Sequence, residues 1–110
     1  DRILGRSDDM FIIRGVNIYP GHIDEILATQ EGVGSEYQIH LARKDDGKDY
    51  MTIRVERAEG MAVENDKRVA AKIEAAVKKG ILVSGTVEIV DYHSLPRTER
   101  KSKRVFDNRD

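Results

Sequence analysis

The chain has 110 residues, with 19 Lys and Arg against 20 Asp and Glu and a formal net charge of −1, a length that fits one domain. Near-neutral charge gives no global field for nucleic acid, and no stretch of roughly 18 apolar residues offers a transmembrane helix. The start carries no signal-peptide pattern, and the lack of cysteine excludes disulfides, thiolate metal sites and a cysteine nucleophile, which suits a cytoplasmic protein.

Residues 10–14 (Met-Phe-Ile-Ile-Arg) are a short apolar run between Asp8-Asp9 and Gly15 and predict a buried strand. Pro20-Gly21 then opens a helical pattern in which Ile23, Ile26 and Leu27 share a face and which should fray near Glu31-Gly32. Residues 36–43 and 50–57 alternate, with Tyr37, Ile39 and Leu41 matched by Met51, Ile53 and Val55. Joined by Lys44-Asp45-Asp46-Gly47-Lys48, they predict an antiparallel hairpin with one solvated face.

Val69, Ile73, Ala76 and Val77 mark a second helix over 65–79, with Lys78-Lys79 in its last turn and Gly80 as its expected cap. Val87, Ile89 and Val90 mark a last strand ending near Asp91-Tyr92. The order strand, helix, strand, strand, helix, strand predicts an α+β, ferredoxin-like βαββαβ fold. Its four-stranded antiparallel sheet would carry two helices on one face. A basic C-terminal tail follows, with five basic residues and one acidic residue at positions 97–104.

Few residues can carry chemistry. Asp8 and Asp9 would point to opposite faces of a strand, and His22, His40 and His93 lack ligand spacing, so no metal site is expected. There is no Ser-His-Asp set and no phosphate-binding glycine loop. The central strands, Ile39-His40-Leu41 and Ile53-Arg54-Val55, lack the aromatic signature of RNA-binding sheets, so nucleic acid is not an expected partner. Two features stand out. Gly15 is either an ordinary turn residue or a point where the backbone passes close to a ligand. The basic tail is either a solvated strand or the carrier of a lysine for a phosphate or carboxylate. Taken alone, the domain holds no complete active site.

The segment Gly5-Arg6-Ser7-Asp8-Asp9-Met10-Phe11-Ile12-Ile13-Arg14-Gly15-Val16-Asn17-Ile18-Tyr19-Pro20 resembles the hinge motif of acyl-adenylate-forming (AMP-binding) enzymes, in the version found in phenylacetate–CoA ligases and related aryl-CoA ligases. Leu95-Pro96-Arg97-Thr98-Glu99-Arg100-Lys101-Ser102-Lys103-Arg104-Val105 is similar to that family's terminal Pro-Arg-Ser/Thr-Glu-Gly-Lys segment. The resemblance covers the whole chain, which opens Asp1-Arg2-Ile3 without Met, so an excised C-terminal lid domain is expected.

The resemblance implies three parts: 1–9 as a hinge from an absent N-terminal domain, 10–94 as the ferredoxin-like lid, and 95–110 as a tail carrying the catalytic lysine. It implies an aryl carboxylate, phenylacetate being the acid named, that reacts with Mg·ATP to give an acyl-adenylate and then with CoA to give a thioester. ATP with Mg would be bound mainly by the chain's own N-terminal adenylating domain, and a homodimer of the parent is compatible with this scheme. Lys101 would be the catalytic adenylation lysine, Asp8 the hinge, Arg6 a nucleotide-binding arginine, and Arg14 with Gly15 the CoA-tunnel loop. Lys101 follows Pro-Arg-Thr-Glu without a gap, while Lys103 lies two residues along.

Two positions depart from the family pattern. Arg100 stands where the family usually has Gly, and Gly21 stands where relatives often carry a capping Ser, a change worth a few tenths of a kcal/mol. The alternative from another class is an ACT-like small-molecule-binding regulatory module, which has no need of a lysine-rich tail.

Overall fold

A computed structural model describes residues 10–95 and 105–109 of the chain. The order is β1 (Phe11–Ile13), β2 (Val16–Ile18), α1 (Pro20–Ala28), β3 (Val33–Arg43), β4 (Asp49–Arg57), a single 3-10 turn at Val63–Asn65, α2 (Asp66–Ile81), β5 (Thr86–Val90) and β6 (Val105–Asp107). β1 and β2 form a two-stranded antiparallel ribbon, and the other strands form one sheet in the order β5-β4-β3-β6.

The alternation in 36–43 and 50–57 yields the expected antiparallel pair, with Ile39 opposite Ile53 and Leu41 opposite Met51. Its turn closes through Gly47 N–H donating to the Lys44 carbonyl at 2.8 Å and Lys44 N–H donating to the Lys48 carbonyl at 3.1 Å. Ile39, Leu41, Ile53 and Val55 are fully buried, as are Ile23 of α1 and Ile73 and Val77 of α2. Fully burying side chains of this size is worth about 1.5–3 kcal/mol each, so this single cluster holds the helices on the sheet.

The α+β class and the two helices stand, but the sheet is mixed rather than antiparallel throughout. β5 runs parallel to β4, and β6 runs parallel to β3. The segment 10–14, expected in the main sheet, pairs instead with Val16–Ile18, with Phe11 opposite Ile18 and Ile13 opposite Val16. Arg14 and Gly15, both at positive φ (52° and 81°), explain this, since two such residues make the tight turn that matches strand twist. The fourth sheet strand comes from the tail, where Val105 and Phe106 lie beside Ile39 and His40.

Gly80 also differs from its expected role. It lies inside α2, and a Cβ there would meet Ile26 Cδ1 at 2.9 Å, so this glycine lets α1 and α2 approach each other. The helix is ended by Leu82 at φ 66°, whose N–H donates to the Lys78 carbonyl at 2.9 Å.

Candidate functional site

The β1–β2 turn brings Arg14 and Gly15 to the end of the β3–β4 hairpin. Arg14 Nε donates to the Asp49 carbonyl at 3.2 Å, and its guanidinium lies 5.4 Å from the centre of the Tyr50 ring. Asp49 opens β4. It accepts from Arg43 Nε at 2.9 Å on one oxygen and from Arg109 Nη1 at 2.9 Å on the other. Arg43 first, and then Arg109, hold the Asp49 carboxyl below the usual carboxylate range.

Arg109 binds further partners. Nη1 donates to the Ile12 carbonyl at 2.7 Å, and Nε and Nη2 donate to Asp107 at 2.9 Å each. These contacts bring the Asp107 pKa down to about 2. One guanidinium therefore joins the β1–β2 ribbon, the start of β4 and the end of β6.

Arg14, Arg43, Gly47, Lys48 and Asp49 line an open concavity of about 570 Å³. Three cations face one carboxylate that two guanidiniums already occupy, so the surface is cationic. Such a surface attracts anions, and among the described residues its lining carries no hydroxyl, thiol or imidazole. At Gly15 a Cβ would meet nothing within 4 Å, so its positive φ calls for glycine and the space above it is open. Among the described residues, no group of three or more His, Asp or Glu could hold a metal ion, and no helix is long and apolar enough to cross a membrane.

A second cluster lies where the chain leaves β5. Arg57 donates to both oxygens of Asp66 at 2.9 and 2.6 Å and to Asp91 at 2.8 Å, tying β4 to the start of α2 and to the turn after β5. The turn closes through Ser94 N–H and Oγ, which both donate to the Asp91 carbonyl at 3.0 and 2.6 Å. Next to Arg57, Glu56 accepts from Leu95 N–H at 2.9 Å.

Arg14 and Gly15 are thus adjacent at one end of the domain. Arg6, Asp8 and Lys101 lie outside the described residues, as do positions 96–104 in general. Asp49, Arg109 and Glu56 were not singled out in the sequence. Arg109 sits 60 positions from Asp49, and nothing in local spacing links them.

Residues 15–109 match the family model for the AMP-binding enzyme C-terminal domain, and the chain belongs to that family. Phenylacetate-coenzyme A ligase of Escherichia coli (strain K12) is 38% identical over 112 residues, an alignment covering 99% of this chain and 25% of the relative. The Pseudomonas putida enzyme of the same name is 36% identical, over 98% of this chain and 25% of its own length. The chain therefore spans about a quarter of these curated relatives.

Among solved structures, a domain of phenylacetate-coenzyme A ligase from Bacteroides vulgatus ATCC 8482 superposes with a TM-score of 0.84 at 33% identity, covering 96% of this chain and 97% of that one. A 2-hydroxyisobutyryl-CoA ligase in complex with 2-HIB-AMP and CoA, in the thioesterification state, superposes with a TM-score of 0.85 at 34% identity. It covers 93% of this chain and 22% of that one. These likenesses favour the ligase resemblance over the ACT-like module.

Proposed function

We propose that this chain is the C-terminal lid of an ATP-dependent, AMP-forming aryl-acid CoA ligase, with phenylacetate as the acid, working in the cytoplasm with its own N-terminal adenylating domain. The observation that carries the reading is similarity along nearly the whole chain to phenylacetate-coenzyme A ligases, which cover 98–99% of it.

In the first half-reaction a carboxylate oxygen of the acid attacks the α-phosphorus of Mg·ATP and pyrophosphate leaves. In the second, the CoA thiolate attacks the acyl carbon and AMP leaves. Lys101 stands between the two anions of the first step, where one ammonium reduces their repulsion and holds the attack geometry. Arg6 contacts the nucleotide, and Asp8 is the hinge at which a change in backbone torsion turns the lid. Arg14 and Gly15 enter the site for the second step. The open space above Gly15 supports that role, because a thin thiol-bearing chain needs close access to backbone. In this scheme residues 1–9 are the hinge, 10–94 the lid body, and 95–110 the tail with the lysine.

The test is Lys101→Ala in the full-length ligase. Carboxylate-dependent ATP–pyrophosphate exchange should slow by several orders of magnitude, about 3–6 kcal/mol at about 1.4 kcal/mol per decade, while thioester formation from preformed acyl-adenylate changes far less. Gly15→Leu should reverse the pattern. Equal losses in both half-reactions for Lys101→Ala would overturn the role of that lysine.

A further inference from the structure

Glu56 is 0% exposed, although it lies on the sheet face turned away from the helices. On β4, Met51, Ile53 and Val55 point into the core, so Glu56 belongs with Thr52 and Arg54 on the opposite, half-open face. The sheet is irregular beside it. Between the pairs Val33–Arg57 and Tyr37–Val55 the register of β3 shifts, setting three β3 residues (34–36) against the single Glu56. Gly34 packs its backbone there, with the position of a Cβ 3.5 Å from Glu56 Cβ. Leu95, itself 6% exposed and outside the main apolar cluster, is held from the other side by its N–H on Glu56 Oε2.

A carboxylate taken wholly out of water is costly unless hydrogen bonds compensate it. One of the Glu56 oxygens accepts from a backbone N–H, that of the residue just before Pro96 and six before Lys101. Arg57, its neighbour, fixes the other end of the same turn through Asp91. Two successive β4 residues thus set where the chain departs toward the lysine, and beyond it the chain is set again by the pairing of β6 with β3.

We infer that Glu56 is a positioning residue for adenylation: through Leu95 N–H it fixes the departure point of the segment that carries Lys101. This rests on the proposed role of Lys101. Because attack geometry is sensitive to displacements of about 1 Å, loss of the anchor should slow the step that uses the lysine and spare the step that does not.

The experiment compares Glu56→Leu, Glu56→Gln and Glu56→Asp in the full-length ligase, alone and combined with Lys101→Ala. Glu56→Leu should lower the kcat of ATP–pyrophosphate exchange about 10- to 100-fold and leave thioester formation from preformed acyl-adenylate within about threefold. Glu56→Gln, which keeps an acceptor for Leu95 N–H, should restore exchange to within about threefold of the parent. In the Lys101→Ala background, Glu56→Leu should have no further effect on exchange, as expected when one residue acts through the other. Should Glu56→Leu fail to fold, Glu56→Asp draws the carboxylate back by one methylene and should show the same split at about fivefold. Equal losses in both half-reactions, or an undiminished effect of Glu56→Leu without Lys101, overturns the inference. A Lys101→Ala enzyme with normal exchange would instead overturn the functional reading beneath it, so the two failures are distinguishable.

Discussion

Under α1 and α2 the sheet presents Ile39, Leu41, Ile53 and Val55, all fully buried, while its opposite face carries Gln38, His40, Thr52, Arg54 and Glu56. The first face works by area and close packing, which are non-directional and tolerate small shifts. The second uses directed contacts: His40 Nε2 on Gln38 Oε1 at 2.8 Å, the His40 ring stacked on Phe106 at 5.0 Å, and Glu56 on Leu95 N–H. Burial first, and then the neighbouring Arg54, make His40 less basic than a free imidazole. One face thus holds the fold together by packing, whereas the other receives Leu95 and β6 through directed contacts.

The largest effect should come from the packed face. Ile53→Ala should destabilise the chain by about 2–5 kcal/mol, read as a shift of the urea midpoint without a change in slope. A loss well below that range would mean the face is held by more than packing. Phe106→Ala tests the other face and should cost about 0.5–1.5 kcal/mol beyond the area it buries. Its effect should be local: faster amide exchange at Asn108, whose N–H donates to the Leu41 carbonyl at 2.9 Å, with protection at Ile53 unchanged. Equal deprotection at both positions would erase the distinction between the faces.

The smallest effect concerns acid. Asp107 has a folded pKa of about 2 against an ordinary 3.8, because Arg109 favours its charged form. A depressed carboxylate contributes stability in full above its unfolded value, and that contribution fades as pH falls from about 4 toward 2. Asp107→Asn should therefore flatten that limb of the stability profile and leave the neutral region with a constant offset. An unchanged acid limb would remove Arg109–Asp107 from the forces that hold β6.

Much of the packed face was legible in the sequence because alternation reports parity directly. Tyr37, Ile39 and Leu41, like Met51, Ile53 and Val55, turn inward as expected, and Val69, Ile73 and Val77 form the buried stripe of α2. Periodicity does not say which strand a strand will meet. It therefore gave β1 to the wrong sheet and left the parallel pairing of β5 and β6 unread. It also could not show that Glu56, on a face expected to be solvated, would be buried and accept from the Leu95 N–H. The Arg14-Gly15 turn was legible because glycine itself is the signal, whereas Asp49 and Arg109 meet only once the chain has folded.

The parallel seating of β6 has one more consequence. β3 is an 11-residue strand, and at Ile39, His40 and Leu41 its outer side is occupied by Val105, Phe106 and Asp107. A chain cut at position 104 would leave the backbone donors and acceptors of that stretch as an open template for a strand from another molecule. Those few residues thus shield this stretch of β3, and a domain expressed alone should run at least through Arg109.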